Sequence, residues 1–597
     1  MELVSKVRGA FRSSTTTSKE QSSTETQEGQ QQQTPEQNDV AVNMEKNPAE
    51  DTMFSENAQA GVQKVEAAAM VWDKKHLIAA YAFIWLVYVV ASLQEVVVRA
   101  LTPFVTSTFG THSLTATMNV VSSIIGGLAK LPLAKILDTW GRPQGLTVML
   151  VLWVLGFVLM AACKNVTTYA AAQVFSVVGA QGVSYCLTVF ISDTTSLRNR
   201  SLMLSFATSP YIFTTWSGGP ISDAALSGAG WRWGLGVWAI VTPVVVLPLC
   251  GIFFWNQLKA KKMGLLEGSA TIRDLSGASI LKYCIDVDLL GIFILAAGMT
   301  LFLLPMNIYS MQEDGWRSPM IIAMIIVGGL LIIAFVLYER FLAPVTFIPY
   351  NLLVDRSVLF GGLMFTFLFF NSAVWGSYFS SMLLVVWNEG VTNTTYIINI
   401  YRTGSCFFAI VIGLFIRWTG RYKPFALYFL MPLMMLGVGL MIQFRQPDQS
   451  IGYVIMTQIF VAFAGGPLVI CGEMSMMAPT DHQHIAVVIA VLDLFGSVGT
   501  ALGSTVSAAI WTGTFKKALE RHVPPTVNVE MVYSSLYSQL GYSPGTPERL
   551  GIAKAYGDAQ RIMLITSVCV LTGGLASIVM WRNINLKTIK QTRGNVI

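Results

Sequence analysis

The chain is short of charged residues, since Asp, Glu, Lys and Arg together make up 12% of its 597 residues. A soluble globular protein carries roughly 25%, whereas 53% of this chain is hydrophobic. This composition excludes an ordinary soluble protein and predicts a polytopic α-helical membrane protein with the lipid bilayer as its solvent. The net charge of +6 is spread over short clusters between apolar segments. A nucleic-acid-binding protein collects basic residues on one face, so we expect no nucleic-acid partner.

Motifs of catalysis and of metal binding are also missing. The sequence has no P-loop lysine motif, no HExxH and no nucleophile elbow, so no motif supports an enzyme. Its seven cysteines form no CxxC pair, which argues against a disulfide framework and a cysteine metal site. His482 and His484 alone are too weak a pattern to predict iron coordination. We expect no catalytic residues, no cofactor and no metal site in the protein itself.

The first 72 residues are rich in Ser, Thr, Gln and Glu and poor in large apolar residues. Such a segment cannot bury enough apolar surface to offset the entropy of ordering, so we predict a disordered tail. No apolar h-region opens the sequence. We therefore expect no cleavable signal peptide, and the first membrane helix serves as an uncleaved insertion signal.

Long apolar segments are what the chain has in abundance. A stretch of about 18 or more apolar residues predicts a membrane-spanning helix, in which every backbone amide is satisfied internally. We predict fourteen such helices, near residues 77–97, 114–136, 145–163, 169–191, 203–223, 234–255, 289–307, 319–338, 358–385, 395–416, 425–443, 451–473, 485–510 and 561–581. The predicted regions are a tail over 1–72, a first half over 73–255, a linker over 256–288, the remaining helices over 289–581 with a long loop at 511–560, and a tail over 582–597.

Basic residues mark one side of the predicted membrane domain. Under the positive-inside rule this side is cytoplasmic, so both termini are predicted to be cytoplasmic. The predicted location is the plasma membrane or endosomal vesicles. The glycosylation sequons at Asn165 and Asn393 fall on the opposite side, whereas a third, at Asn199, should stay unmodified. The basic clusters are Lys74/Lys75, Lys135/Arg142, Arg198/Arg200, Lys259/Lys261/Lys262, Arg340/Arg356, Arg417/Arg421/Lys423 and Arg582/Lys587.

An internal repeat predicts two related halves. Residues 134–143, after the second predicted helix, are similar to residues 413–423, after the tenth. Transporters built from such repeats bind substrate between the halves, near the bilayer midplane. We expect the same location here.

Few ionisable side chains lie within the apolar segments. They are functional candidates, because a charge at the bilayer centre costs from about 2.5 kcal/mol upward. Asp493 lies in the middle of the thirteenth predicted helix and suits a proton-coupling group. Arg402, beside Tyr401 in the tenth, is suited to bind substrate or to pair with a carboxylate. Glu95 and Arg99 are spaced for an ion pair on one helix face, and Glu95 is also a proton-coupling or gating candidate.

Two further charges, Lys130 and Glu473, lie closer to water. A long lysine side chain can reach the interface, so we favour a structural role for Lys130. We also favour a structural role for Glu473, although we keep it among the proton-coupling or gating candidates.

Several charges fall near the predicted cytoplasmic ends of helices and suggest a gate. Asp138 is placed to hold Arg142. Asp193 is placed in the same way to hold Arg198 or Arg200. These residues are gating candidates.

The segment Asp138-Thr139-Trp140-Gly141-Arg142 resembles the loop signature between helices two and three of the major facilitator superfamily. More narrowly, the sequence is similar to the fungal siderophore-iron transporters over about residues 70–590. The segments that carry this resemblance are Gly179-Ala180-Gln181-Gly182 with Tyr185, Asp193-Thr194-Thr195-Ser196-Leu197-Arg198-Asn199-Arg200, Pro210, and Gly230-Trp231-Arg232-Trp233-Gly234-Leu235-Gly236. The resemblance implies a fourteen-helix fold that imports ferric siderophores as a proton symporter.

Two alternatives remain beside import. The fourteen-helix drug:proton antiporters share the fold and the Trp-Arg-Trp turn, but the segment Gly218-Gly219-Pro220-Ile221-Ser222-Asp223 departs from their pattern. A non-transporting nutrient receptor of the same fold is the third hypothesis. In the leading hypothesis, siderophore import, iron is carried within the siderophore.

The charge inventory favours a substrate of low charge. A ferric tris-catecholate is a trianion and needs deeply placed cations, whose desolvation is costly, whereas a ferric tris-hydroxamate is close to neutral. A cavity lined by aromatic rings and amides suits the ferric tris-hydroxamate. The substrate-binding candidates are Arg402, Tyr401, Tyr185, Gln181, Trp216, Asn371, Trp375 and Tyr556. Tyr556 belongs to the long loop at 511–560, which is either a lid or an inert connection.

Three glycines in the thirteenth predicted helix, Gly496, Gly499 and Gly503, recur at helical spacing. Small residues at such positions let two membrane helices approach closely. We predict that this face packs against a neighbouring helix.

Overall fold

All the regular secondary structure in the described part of the chain is helical. The structure is a computed structural model, and it describes residues 71–108, 140–263, 288–305, 314–343, 354–481, 484–534 and 536–589, scattered positions between 122 and 137, and residues 285, 309 and 312. Eleven helices in this part of the chain are long and apolar enough to cross a membrane. The predicted all-α membrane fold is confirmed.

The helices of the first half end in the basic segment before residue 264. The described residues between 122 and 137 that have regular structure are helical, and we call this stretch α2. The other helices are α1 (Lys74–Thr108), α3 (Arg142–Ala162), α4 (Val166–Thr194), α5 (Leu197–Thr208), α6 (Tyr211–Ser227) and α7 (Trp231–Lys262).

The rest of the chain begins with a helical hairpin, α8 and α9, and continues with the helices of the second half. Their bounds are α8 (Leu289–Leu303), α9 (Pro319–Phe341), α10 (Arg356–Gly376), α11 (Phe379–Val386), α12 (Val391–Thr419), α13 (Lys423–Phe444), α14 (Ile451–Met477), α15 (Ile485–His522), α16 (Val529–Ser534), α17 (Leu536–Leu540) and α18 (Pro547–Met580).

Two of the predicted helices are interrupted. The fifth is divided into α5 and α6 next to Pro210, which has no backbone N–H to continue the hydrogen-bond ladder. The ninth is divided into α10 and α11 at Tyr378, whose φ of 57° lies in the left-handed region. Much of the second predicted helix lies outside the described residues.

The two ends of the bundle differ in charge. We call the end that holds Arg142, Arg198, Arg417, Lys423 and Arg582 the basic end, and the opposite end the loop end. At the basic end, Arg198 Nε donates to the Arg417 carbonyl over 2.8 Å, and Lys423 Nζ donates to the Val579 carbonyl over 2.8 Å.

The internal repeat has a structural counterpart at the basic end. Gly141 precedes α3 with a φ of 115°, and Gly420 follows α12 with a φ of 76°. Both values lie where a Cβ is disfavoured, so glycine is needed at both positions. The repeated segments therefore share a required glycine, but their conformations differ, with a ψ of 165° at Gly141 and 11° at Gly420.

The predicted glycine contact is formed between α15 and α10. A Cβ on Gly499 would lie 2.2 Å from the Thr366 carbonyl oxygen, and one on Gly503 would lie 2.6 Å from the Phe370 carbonyl oxygen. The prediction of a close helix approach is confirmed at these two positions. Gly496 makes only an ordinary contact, 3.4 Å from Phe369.

The segment 511–560 is largely helical. Helix α15 continues to His522, and α18 already begins at Pro547, so the structure shortens the predicted loop at both ends. A second apolar core joins these helices to α11, and we call it the loop-end core. Its buried residues include Met382, Trp511, Phe515, Tyr556 and Met563.

Two buried arginines tie the loop-end core to the second half of the bundle. Arg549 of α18 donates to the carbonyls of Val385 and Leu384, at the end of α11, over 2.8 and 3.1 Å. Arg445 donates to the Trp375 carbonyl over 2.7 Å, at the break between α10 and α11. Both therefore satisfy carbonyls that a helix end leaves free.

Arg445 is fully buried, and its guanidinium lies 3.6 Å from the centroid of the Phe379 ring. Burial lowers the pKa of Arg445 to about 9, because a low-dielectric surrounding disfavours the charged form. This value is above neutral pH, so the side chain keeps the charge that its carbonyl and ring contacts stabilise.

We expect Arg549→Gln to lower the stability of the protein by about 2–4 kcal/mol, since buried carbonyls lose their donors. Thermal unfolding in detergent measures the change. The matched control is Arg561→Gln, an exposed position of the same helix, which should melt like wild type. Equal melting temperatures for the two variants would contradict the proposed role of Arg549.

Candidate functional site

A cavity of about 770 Å³ lies between the two halves. This volume falls within the range of small-molecule sites, roughly 300–1,000 Å³. Helices α1, α2, α3, α4 and α6 contribute to its wall from the first half, and α10 and α15 from the second. Its aromatic and amide lining includes Tyr88, Gln94, Trp153, Phe157, Gln173, Gln181, Tyr211, Phe365 and Phe369.

Four charged residues also line the cavity, namely Glu95, Arg99, Lys130 and Asp493. Two are acidic and two are basic, so their formal charges cancel. The side chain of Arg99 is 72% exposed. The cavity therefore combines an amide and aromatic surface with balanced charge.

The first ion pair on the wall joins Lys130 of α2 to Asp493 of α15. Lys130 Nζ lies 2.9 Å from Asp493 Oδ2, and the side chains are 17% and 31% exposed. The two residues belong to different halves, so the pair crosses the cavity. Sequence reasoning selected Asp493 but favoured a structural role for Lys130. The cost of an intramembrane charge applied equally to Lys130, and it was the signal that should have placed this lysine beside a carboxylate.

The second pair joins Glu95 of α1 to Arg402 of α12, with 2.5 Å between Oε2 and the guanidinium. Glu95 also accepts a bond from Arg99 over 3.0 Å, as its spacing predicted. Tyr211 completes the cluster, since its hydroxyl lies 3.4 Å from Glu95 and its ring centroid lies 4.3 Å from the Arg402 guanidinium. Of the alternatives for Arg402, the structure forms the carboxylate pair.

The two cross-half pairs have opposite polarity. The first half supplies the base in the Lys130–Asp493 pair and the acid in the Glu95–Arg402 pair. A relative movement of the halves must break or rebuild both contacts. Protonation of either carboxylate removes the attraction that holds its pair.

Close packing seals the cavity towards the basic end. Tyr185 of α4 donates from its hydroxyl to the carbonyl of Ala486 in α15. A Cβ on Gly413 of α12 would lie 2.9 Å from the Leu202 Cα of α5, so the two helices touch at backbone level. The halves therefore meet tightly below the cavity.

A buried ion pair lies at the same end. Arg142 Nε is 2.8 Å from Asp193 Oδ2, and the side chains are 3% and 0% exposed. Arg142 also donates to the Leu137 carbonyl over 2.8 Å. Asp138, the partner expected for Arg142, lies outside the described residues. The structure joins Arg142 to Asp193, a pairing that sequence reasoning did not select.

The substrate candidates Tyr401, Trp375, Trp216 and Asn371 are not part of the cavity lining. Tyr401 packs edge-on against Trp375, with 5.1 Å between ring centroids. The Trp216 ring lies 5.0 Å from that of Tyr396. Asn371 Oδ1 accepts a bond from the Ser567 hydroxyl over 2.5 Å. These contacts are helix packing in this conformation.

Tyr556 lies in the loop-end core. It is 1% exposed, and its hydroxyl donates to Gln539 Oε1 over 2.8 Å. The structure thus assigns this tyrosine a packing contact, whereas the substrate candidate Gln181 does line the cavity.

Both predicted glycosylation positions lie at the loop end. Asn165 caps α4, where its Oδ1 accepts from the Thr168 amide over 2.8 Å. Asn393 lies in the first turn of α12 and donates to Glu389 over 3.0 Å. Glycosylation at these positions stays a prediction.

The helical bundle and its central cavity define a transporter of the major facilitator superfamily, whose family profile matches residues 84–504. The chain is 50% identical over 551 residues to MFS siderochrome iron transporter 1 of Ajellomyces capsulatus, covering 92% of this chain and 93% of the relative. It is 41% identical over 542 residues to MFS siderochrome iron transporter D of Aspergillus fumigatus, covering 90% of each. The chain belongs to the siderochrome and siderophore iron transporter family, a family of membrane transporters and not of enzymes.

A solved structure supports the same fold. The human organic anion transporter MFSD10 (TETRAN) aligns with a TM-score of 0.51 at 11% identity, over 82% of this chain and 98% of that one. At this identity the likeness concerns the fold alone.

We expect the Arg142–Asp193 pair to contribute strongly to stability. Arg142→Gln or Asp193→Asn should each cost about 3–5 kcal/mol, because the partner charge stays buried. The double variant should cost about 1–3 kcal/mol less than the sum. Thermal unfolding of the four proteins measures this coupling.

The control cycle uses the exposed pair Lys516–Glu530, at 2.6 Å. Its substitutions should be additive, since solvent screens an exposed pair. Additive effects at Arg142 and Asp193 would refute the expected coupling.

Proposed function

We propose that the protein imports ferric siderophores of the hydroxamate type, driven by protons that move down their gradient. The observation that carries this proposal is the cavity of about 770 Å³ between the halves, crossed by two ion pairs of opposite polarity. The names of the relatives, which are siderochrome iron transporters, supply the substrate class.

The balanced charge of the cavity supports a hydroxamate complex. Glu95, Arg99, Lys130 and Asp493 contribute two charges of each sign, and Arg402 is already held by Glu95. A trianionic catecholate complex would have to pull these cations from their partners, at a desolvation cost. A nearly neutral ferric tris-hydroxamate can instead contact the amides and aromatic rings of the wall.

The pair on the cavity wall supports proton coupling. Asp493 is within reach of cavity water, and it holds Lys130 only while it is ionised. Protonation from the cavity would release Lys130 and loosen the contact between the halves. Substrate and proton then act on the same wall, so each can change the contacts between the halves that the other depends on.

The distribution of basic residues supports the orientation. We place the basic end in the cytoplasm, in accordance with the positive-inside rule, together with both termini. The conformation with a sealed basic end is then closed to the cytoplasm. The proposed location is the plasma membrane or endosomal vesicles, with the basic end facing the cytoplasm.

The direct test is uptake of radio-iron, supplied as ferric tris-hydroxamates of the ferrichrome, coprogen and fusarinine types. The host is a fungal cell without its own siderophore transporters, with and without this chain and an uncoupler. We expect saturable accumulation that the uncoupler abolishes, and little competition from a ferric tris-catecholate. No accumulation by a correctly localised protein would refute import and would direct attention to efflux.

We expect Asp493→Asn to reduce accumulation at least tenfold, because Lys130 loses its partner and a titratable carboxylate disappears from the wall. Initial uptake rates and steady-state levels measure the loss. The control Asp448→Asn, at an exposed loop-end position, should transport like wild type. Uncoupler-sensitive accumulation at the wild-type level by Asp493→Asn would remove this residue from the mechanism.

A further inference from the structure

One carboxylate near the cavity has a buried oxygen without a partner. Glu473 lies in α14, four residues before the helix ends at Met477. Within the described part of the chain, its Oε2 is buried and accepts no hydrogen bond. An ionised oxygen in that position is costly, whereas a protonated carboxyl group has no charge to desolvate. The geometry therefore favours a neutral Glu473 in this conformation.

Glu473 has a second carboxylate in its neighbourhood, and that carboxylate is paired with a lysine. The second carboxylate is Asp493 of α15, and Lys130 of α2 holds Asp493 over 2.9 Å. Tyr88 lines the cavity, and its hydroxyl hydrogen-bonds to Ser184 over 3.1 Å. Two carboxylates and one ammonium carry a net charge of −1 when all are ionised. A single bound proton makes these three groups neutral.

The two carboxylates differ in their access to water. Asp493 lines the cavity, and its side chain is 31% exposed. Glu473 lies outside the cavity lining and nearer the seal at the basic end, where the Met477 sulfur lies 3.8 Å from the Ser192 hydroxyl. In the proposed symport, the seal beside Glu473 separates when the basic end opens. The order along the transport axis is thus cavity, Asp493, Glu473 and basic end.

We propose that Glu473 is the carboxylate that carries the coupled proton past the cavity and releases it at the basic end. This inference rests on the proposed symport. The proton first binds to Asp493, which frees Lys130. Asp493 then donates the proton to Glu473, becomes a carboxylate again and re-forms its pair with Lys130. Opening of the basic end exposes Glu473, which loses the same proton to water.

The decisive variant is Glu473→Gln, which keeps the shape of a protonated glutamate but cannot release a proton. Two processes are compared in reconstituted vesicles or cells. One is uptake of a radio-iron ferric tris-hydroxamate against its gradient, with the accompanying alkalinisation of the medium. The other is exchange of labelled for unlabelled complex, which needs no net proton movement.

We expect Glu473→Gln to reduce accumulation and alkalinisation at least tenfold. The rate of exchange should stay within twofold of wild type. Accumulation at the wild-type level would overturn the proposal. Loss of exchange together with accumulation, in a protein with wild-type melting behaviour, would also overturn it, because that result indicates a structural role. The exposed control Glu520→Gln should match wild type in every assay.

Glu473→Asp provides a second test in case the glutamine variant does not fold. It keeps a titratable carboxyl group but shortens the reach to Asp493. We expect accumulation to recover in part, with a pH profile displaced from that of wild type and an unchanged rate of exchange. A pH profile identical to that of wild type would refute the role of Glu473. Failure of the wild-type protein to accumulate any complex would instead refute the symport itself.

Discussion

The cost of a charge in a low-dielectric medium governs the arrangement of this bundle. Lys130, Asp493, Glu95 and Arg402 each lie deep in an apolar segment, and each finds its counter-ion in the opposite half. The same cost fixes Arg142 against Asp193 at the basic end. Since these charges cannot remain alone, every conformation of the transporter must supply each with a partner, a proton or water.

This constraint connects packing to transport. The halves touch at backbone level near Gly413, below the cavity, whereas at the level of the cavity they are joined by ion pairs. Backbone packing depends little on pH or on a bound complex. The ion pairs respond to both, so they are the contacts through which substrate and proton can change the relative position of the halves.

The sequence reveals those parts of the structure that depend on local pattern. Hydropathy, the repeated glycines Gly141 and Gly420, and the spacing of Gly499 and Gly503 are local signals, and the structure agrees with them. Partner choice is not local. Lys130 and Asp493 are 363 positions apart, and no pattern within one helix indicates which distant charge a lysine meets.

Other features escaped prediction for physical reasons of their own. The segment 511–560 contains glycine, proline and tyrosine in a mixture typical of loops, but its helices are stabilised by the loop-end core and not by their own periodicity. Tyr556 and Arg549 acquire their roles only from that core. Arg445 is likewise an exposed loop residue by sequence, and its burial depends on carbonyls that the break between α10 and α11 leaves free.

The arginine contacts of the loop-end core have a mechanical consequence. Arg549 and Arg445 fasten α18 and its neighbours to both sides of the break in α10–α11, so a movement of the second half that keeps these contacts carries the loop-end core with it. In the proposed orientation it projects on the extracellular side, where large molecules can reach it. A binder such as an antibody fragment that recognises the loop-end core from the extracellular side would therefore restrain the second half.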